Sequence, residues 1–173
     1  MAGFTESGIT LDFDKETWFR FQQSEPYCRV SGFGFKEMDA CYVDEMPEGL
    51  RRFYAIELKD FSETNSLAEE NMTKRIWDIV KKNVDTLQMI LSAKYQNQFG
   101  IDLEKTKGID LHTNMKEAFL LTIVNVKPEN VMMLHALKDK CLDKLRPYSK
   151  VWDGIKIVLM TKEHAQKYLA FVK

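Results

Sequence analysis

The spacing of apolar and polar positions changes several times along the chain, and each change marks an element. Residues 1 to about 12 are mixed in pattern and are expected to be loosely held. Asp14, a favoured N-cap residue, precedes Glu16-Thr17-Trp18-Phe19-Arg20-Phe21, which predicts a first helix that ends at Pro26. Residues 27–35 alternate and carry Gly32 and Gly34, the mark of a strand with a bulge. A second strand is expected over 38–44, a turn at Met46-Pro47-Glu48-Gly49, and a third strand over 51–59. The centre of that third strand, Phe53-Tyr54-Ala55-Ile56, is apolar enough for the middle of a sheet. After a polar connection over 61–67, Ile76, Val80, Val84, Leu87 and Leu91 recur at threes and fours. That stripe predicts a long helix over about 68–96. Residues 101–115 read as a charged loop and 118–124 as a buried strand. Pro128 can open a helix through Val131, Leu134, Leu137 and Leu142. A last strand over 155–160 leads to a closing helix capped by Thr161.

The order is helix, three strands, long helix, strand, helix, strand, helix. Strands joined by tight turns pair antiparallel, and those joined through helices can run parallel. The expected fold class is therefore α/β (α+β), a mixed sheet flanked by helices. No repeat or low-complexity tract divides the 173 residues, so one domain over 1–173 is expected.

Composition narrows the function classes. The longest apolar run, 118–124, is far too short to cross a bilayer, so no membrane association is expected. The first residues include Glu6 and lack a basic-then-apolar pattern, which predicts no secretion signal. Cys28, Cys41 and Cys141 are odd in number and without CxxC spacing, against a disulfide framework or a zinc site and in keeping with the cytoplasm. Cys28 and Cys41 read as small buried residues, and Trp18, Trp77 and Trp152 as packing residues. His112, His135 and His164 share no ligand spacing, and no phosphate-binding glycine loop or nucleophile elbow is present. A net charge of −1 argues against a broad basic footprint but leaves room for a local one.

The candidate chemistry lies on the second and third strands. Side chains at i and i+2 of a strand share a face, so Glu57 and Lys59 point together, with Leu58 turned the other way. Hairpin pairing of the two strands brings Asp39 near Glu57. Two carboxylates then offer oxygen ligands to a divalent cation, with an ammonium beside them. Along the long helix, Lys81, Asp85, Gln88 and Ser92 form a polar row, and Lys82 starts the next one. The row reads as a solvated face with a Lys81–Asp85 pair. It also reads as the border of a cleft where Lys81 or Lys82 touches phosphate and Gln88 nears the site.

Asp39 on the second strand, with Glu57-Leu58-Lys59 on the third, resembles the PD-(D/E)xK phosphodiesterase superfamily, the fold of many restriction and repair nucleases. Lys36-Glu37-Met38-Asp39 and Ile56-Glu57-Leu58-Lys59-Asp60 are also similar to small bacterial members of that group. The resemblance covers about residues 14–125 as an αβββαβ core, with 126–173 as a C-terminal βα extension. It departs from the family pattern at Met38, where a proline precedes the acid. It implies a nuclease-like hydrolase acting on nucleic acid, DNA foremost, with Mg²⁺ or Mn²⁺ as cofactor. Asp39, Glu57 and Lys59 would be catalytic. Asp39, Glu57 and the Leu58 main-chain carbonyl would hold the metal, joined by Glu16 or Glu25 from the first helix. Lys59 would act as a base or as an electrostatic clamp. Lys81, Lys82 and Gln88 would contact nucleic acid, and a homodimer fits the pattern. The rival expectation keeps the nuclease fold as a non-catalytic protein-interaction or regulatory module.

Overall fold

The computed structural model describes residues 2–13, 17–63, 68–107 and 110–173. Its first element corrects the expectation of a loose start. Strands β1 (Ala2–Glu6) and β2 (Ile9–Phe13) form a hairpin closed by Ser7 and Gly8, at φ 55° and 71°. Positive φ at both positions suits a two-residue hairpin turn. Ile9, Leu11 and Phe13 alternate into the interior and are fully buried, a period-2 pattern that the mixed composition of the segment obscures. The chain's end clamps this hairpin, with Asp12 N–H donating to Phe171 C=O and Lys173 N–H to Thr10 C=O.

The main sheet has the order β3-β4-β5-β6-β7. Its members are β3 (Trp18–Phe19), β4 (Ala40–Glu45), β5 (Arg51–Phe61), β6 (Met115–Val126) and β7 (Ile155–Thr161). The first three run antiparallel to their neighbours, while β6 is parallel to β5 and β7 to β6. This is the mixed sheet expected from the element order. The outermost strand differs. Trp18 and Phe19 were expected in a helix but pair with Tyr42 and Cys41, as suits two adjacent aromatic residues on a pleated, half-buried surface. Asp14, the expected cap, and Glu16 lie outside the described residues.

Helix α1 (Glu25–Ser31) occupies the segment expected to be a strand. Pro26 stands in its first turn, where a missing N–H costs nothing, so the proline starts a helix instead of ending one. Gly32 and Gly34 belong to the exit from that helix, with Gly34 at φ 81°. The sheet's first strand therefore precedes the helix instead of following it.

Helix α2 (Glu69–Lys94) meets the long helix expected. Helix α3 (Gln98–Lys107) replaces part of the expected loop. Its start depends on Gly100, where a Cβ would meet the Ser92 carbonyl oxygen at 2.1 Å, so the two helices approach closer than any side chain allows. Helix α4 (Val131–Val151) links β6 to β7, and α5 (Lys162–Tyr168) closes the chain. The Thr161 hydroxyl accepts from His164 N–H at 3.2 Å, the cap expected.

Helices α2, α3 and α4 cover one face of the sheet, meeting Cys41, Val43, Phe53, Ala55, Phe61, Leu120 and Val124. The hairpin and α5 cover the other, over Tyr42, Tyr54, Ile56, Leu58 and Ile123. Odd-numbered residues of β5 thus face α2. Cys41 and Cys141 are buried, but Cys28 is exposed on α1. Trp77 is also exposed, because the helix stripe that packs runs through Ile76, Ile79 and Val80 beside it.

Candidate functional site

Ala40 pairs with Ile56 in the β4–β5 ladder, which sets Asp39 opposite Glu57 at the open end of the hairpin. Both point to the α2 side, as does Lys59. Asp39 is anchored by its neighbour strand: Leu58 N–H donates to Asp39 Oδ2 at 2.8 Å. Glu57 has no exposed surface. Lys59 Nζ lies 2.6 Å from Glu57 Oε1 and 3.0 Å from Asp78 Oδ2. Among the described residues Glu57 Oε1 has no aligned hydrogen-bond donor, so Lys59 and Lys82 hold it by charge and proximity.

Helix α2 supplies the other half of the cluster. Lys82 Nζ sits 3.1 Å from Asp39 Oδ1 and 2.8 Å from the Glu57 carboxylate. Asp78 also bonds Lys36 at 2.7 Å. Asp85 accepts from Lys36 N–H at 2.9 Å and Thr86 accepts from Met38 N–H at 3.0 Å, so the backbone leading into Asp39 is fastened to the helix. Two carboxylates and two ammonium groups therefore meet between the sheet and α2.

The protonation balance follows from burial. Burial pushes Glu57 up to about 7, the Asp39 charge adds to it, and Lys59 and Lys82 oppose both. Glu37, two residues before Asp39 and buried, is likewise pushed up to about 7 by burial, against the Gln22 N–H that donates to it at 2.5 Å. Burial disfavours the Lys59 and Lys82 ammonium groups, yet the carboxylates around them win and raise both. Asp78 resists its own burial and falls to about 2 under hydrogen bonds from Lys36 and Lys59.

Asp39, Glu57 and Lys59 thus come together as expected. Lys82, expected at a nucleic-acid surface, lies inside the cluster. Lys81 pairs with Asp85 at 2.8 Å on the helix flank, and Gln88 is exposed with no described contact to the cluster. The Leu58 carbonyl accepts from Ser7 Oγ at 3.2 Å, leaving one lone pair. Glu25 is exposed at the start of α1 and lies 3.9 Å from Arg29, not beside Asp39. Glu16 is outside the described residues. Glu37, Asp78 and the inward role of Lys82 were missed. The usable signal was the spacing of Asp78, Lys82 and Asp85 at i, i+4 and i+7, a polar line on one helix face.

A second cluster could hold a metal ion. Glu104, Asp110 and His112 converge, with His112 Nδ1 3.1 Å from Glu104 Oε1 and 3.2 Å from Asp110 Oδ1. Arg51 already pairs with Asp110 Oδ2 at 3.1 Å. No helix among the described residues is long and apolar enough to cross a membrane. No protein-family model, curated protein or solved structure matches the chain.

Proposed function

We propose that this protein is a metal-dependent phosphodiesterase acting on nucleic acid, DNA foremost, with its reaction centre at Asp39, Glu57 and Lys59. The observation that carries the reading is the cation already shared by two carboxylates, Lys82 Nζ at 3.1 Å from Asp39 and 2.8 Å from Glu57. Mg²⁺ takes hard oxygen donors at about 2.0–2.1 Å. The donor set fits: Asp39 Oδ1, the Glu57 carboxylate and the remaining lone pair of the Leu58 carbonyl. Lys82 would give up its contacts to Asp39 and Glu57 if those oxygens held an ion. Bound there, Mg²⁺ or Mn²⁺ would polarise a phosphoryl oxygen and acidify a water.

The chain's own residues do the rest. Lys59 is kept charged: burial opposes the charge, but Glu57 and Asp78 overcome it. A lysine with a raised pKa is a poor base and a good electrostatic clamp. Lys59 therefore orients the attacking water and offsets charge on the phosphorane. Asp78 positions Lys59, and Asp85 and Thr86 hold the backbone that carries Asp39.

A specific observation also favours the rival reading. The four charges already satisfy one another, as in a buried ion network that needs no ligand. Such a protein would keep the scaffold as a non-catalytic interaction or regulatory module. Calorimetric titration with Mn²⁺, in a His112→Ala background that removes the second cluster, separates the two. The nuclease reading expects one bound ion, lost in Glu57→Gln. Equal binding with and without Glu57, or none at all, defeats it.

A further inference from the structure

We infer that the outer face of α2 around Trp77 is a binding groove for single-stranded nucleic acid, with Trp77 as the stacking platform for an unpaired base. The inference rests on the proposed function for its purpose and adds the strand state of the substrate.

Trp77 is 55% exposed, high for a residue type that usually buries its ring. A depression of about 420 Å³ on one side of it is bordered by Lys36, Lys74, Arg75 and Lys81. A second, of about 380 Å³, lies between Trp77 and Lys140 and Lys144 of α4. Six cations thus flank one exposed indole in a chain of net charge −1, two of them already ion-paired, Lys36 with Asp78 and Lys81 with Asp85. The acids bordering the two depressions are already engaged. Asp78 is bonded to Lys36 and Lys59, and Asp143 to Arg146 at 2.8 Å. Lys144 Nζ stands 4.2 Å from the Trp77 ring centroid, so cation and ring already form one unit.

Cations that track a backbone, with an aromatic ring between them, suit single strands, whose bases are free to stack. In a duplex the base faces are covered and Trp77 would have nothing to stack on. One side chain joins the groove to the proposed reaction centre. Asp78 borders the groove, bonds Lys36 through Oδ1, and bonds Lys59 through Oδ2.

The test is fluorescence anisotropy of a labelled oligothymidylate in EDTA, against a duplex of equal length. Metal-free binding keeps this inference separate from cleavage. Binding lost while cleavage persists sinks the groove alone, and cleavage lost while binding persists sinks the reaction centre alone. The single strand is expected to bind more tightly than the duplex. Trp77→Ala should weaken it about tenfold or more, with Trp77→Phe recovering most of the loss. Lys140→Ala should lower the slope of log affinity against log salt by about 0.7. Trp77 is exposed, so these variants should keep the wild-type circular dichroism. Unchanged binding by Trp77→Ala, equal binding of duplex, or displacement of the oligonucleotide by poly-glutamate at equal charge would each overturn the inference.

Discussion

Lys82 Nζ lies 2.8 Å from the carboxylate of Glu57, a group with no exposed surface. A buried carboxylate is costly unless it is paired, and here one partner, Lys59, comes from the strand that carries the motif and the other, Lys82, from a helix. The centre is thus assembled across two layers of the fold, and its charge balance depends on α2 as much as on β5.

Lys82→Met keeps the aliphatic stem and removes the charge. Breaking a buried pair from one side strands the other charge, so a loss of about 3 kcal/mol is expected in urea unfolding. Adding Glu57→Gln should restore part of it, because a neutral amide removes one of the two carboxylates that Lys82 pairs, leaving only Asp39. Mn²⁺ should narrow the deficit of the single variant, because without Lys82 competing for the same oxygens its native state would bind the ion more tightly than wild type does. A loss below about 1 kcal/mol would mean that the pair is not desolvated.

Asp39 has a structural task and a proposed chemical one, and two substitutions divide them. Asp39→Asn keeps an acceptor for Leu58 N–H, the bond seen at 2.8 Å. Asp39→Ala leaves that buried donor without a partner, at a cost of about 1–3 kcal/mol. Thermal unfolding should rank wild type and Asn above Ala, while both variants lose Mn²⁺ binding. An Asn variant as unstable as Ala would show that the charge, not the hydrogen bond, holds the strand end.

Stability should fall as pH rises from about 4.5 to 7. Glu37 and Glu57 have folded pKa values of about 7, pushed up mainly by burial. Between the unfolded and folded values the native state binds more protons, so raising pH favours unfolding. Glu37→Gln keeps an acceptor for Gln22 N–H and cannot ionise. The variant should be more stable than wild type at pH 8 by about 1–3 kcal/mol, with little difference at pH 4.5. A difference that does not change with pH would rule out ionisation of Glu37 as its source.

Gly100→Ala should loosen α3 from α2. The added Cβ would meet backbone, at 2.1 Å from the Ser92 carbonyl oxygen, and backbone yields less readily than a side-chain tip. A loss of about 1–3 kcal/mol is expected, with hydrogen-exchange protection falling first over α3. Unchanged protection there would contradict the close approach.

The parts legible in the sequence were those with a strong period. Five apolar positions from Ile76 to Leu91 announced α2, and the Phe53-Tyr54-Ala55-Ile56 run announced β5. The motif's placement followed because β4–β5 pairing alone sets Asp39 against Glu57. Short elements failed where tertiary contacts decided. Trp18 and Phe19 became a strand by pairing with β4, a partner no local pattern names. Pro26 reads as a stop in the sequence because a proline marks either end of a helix until its neighbours are known. Lys82 and Asp78 were hidden for a related reason. A lysine on a helix usually points to solvent, and only the sheet beneath reveals that this one covers buried acids.

Cleavage of single-stranded and plasmid DNA in Mg²⁺, wild type against Lys59→Ala, tests the central claim most directly. The account predicts product from the wild type, none in EDTA, and a rate about 100-fold lower or less in the variant. Equal rates for the two proteins, or no cleavage by the wild type in either Mg²⁺ or Mn²⁺, would contradict it.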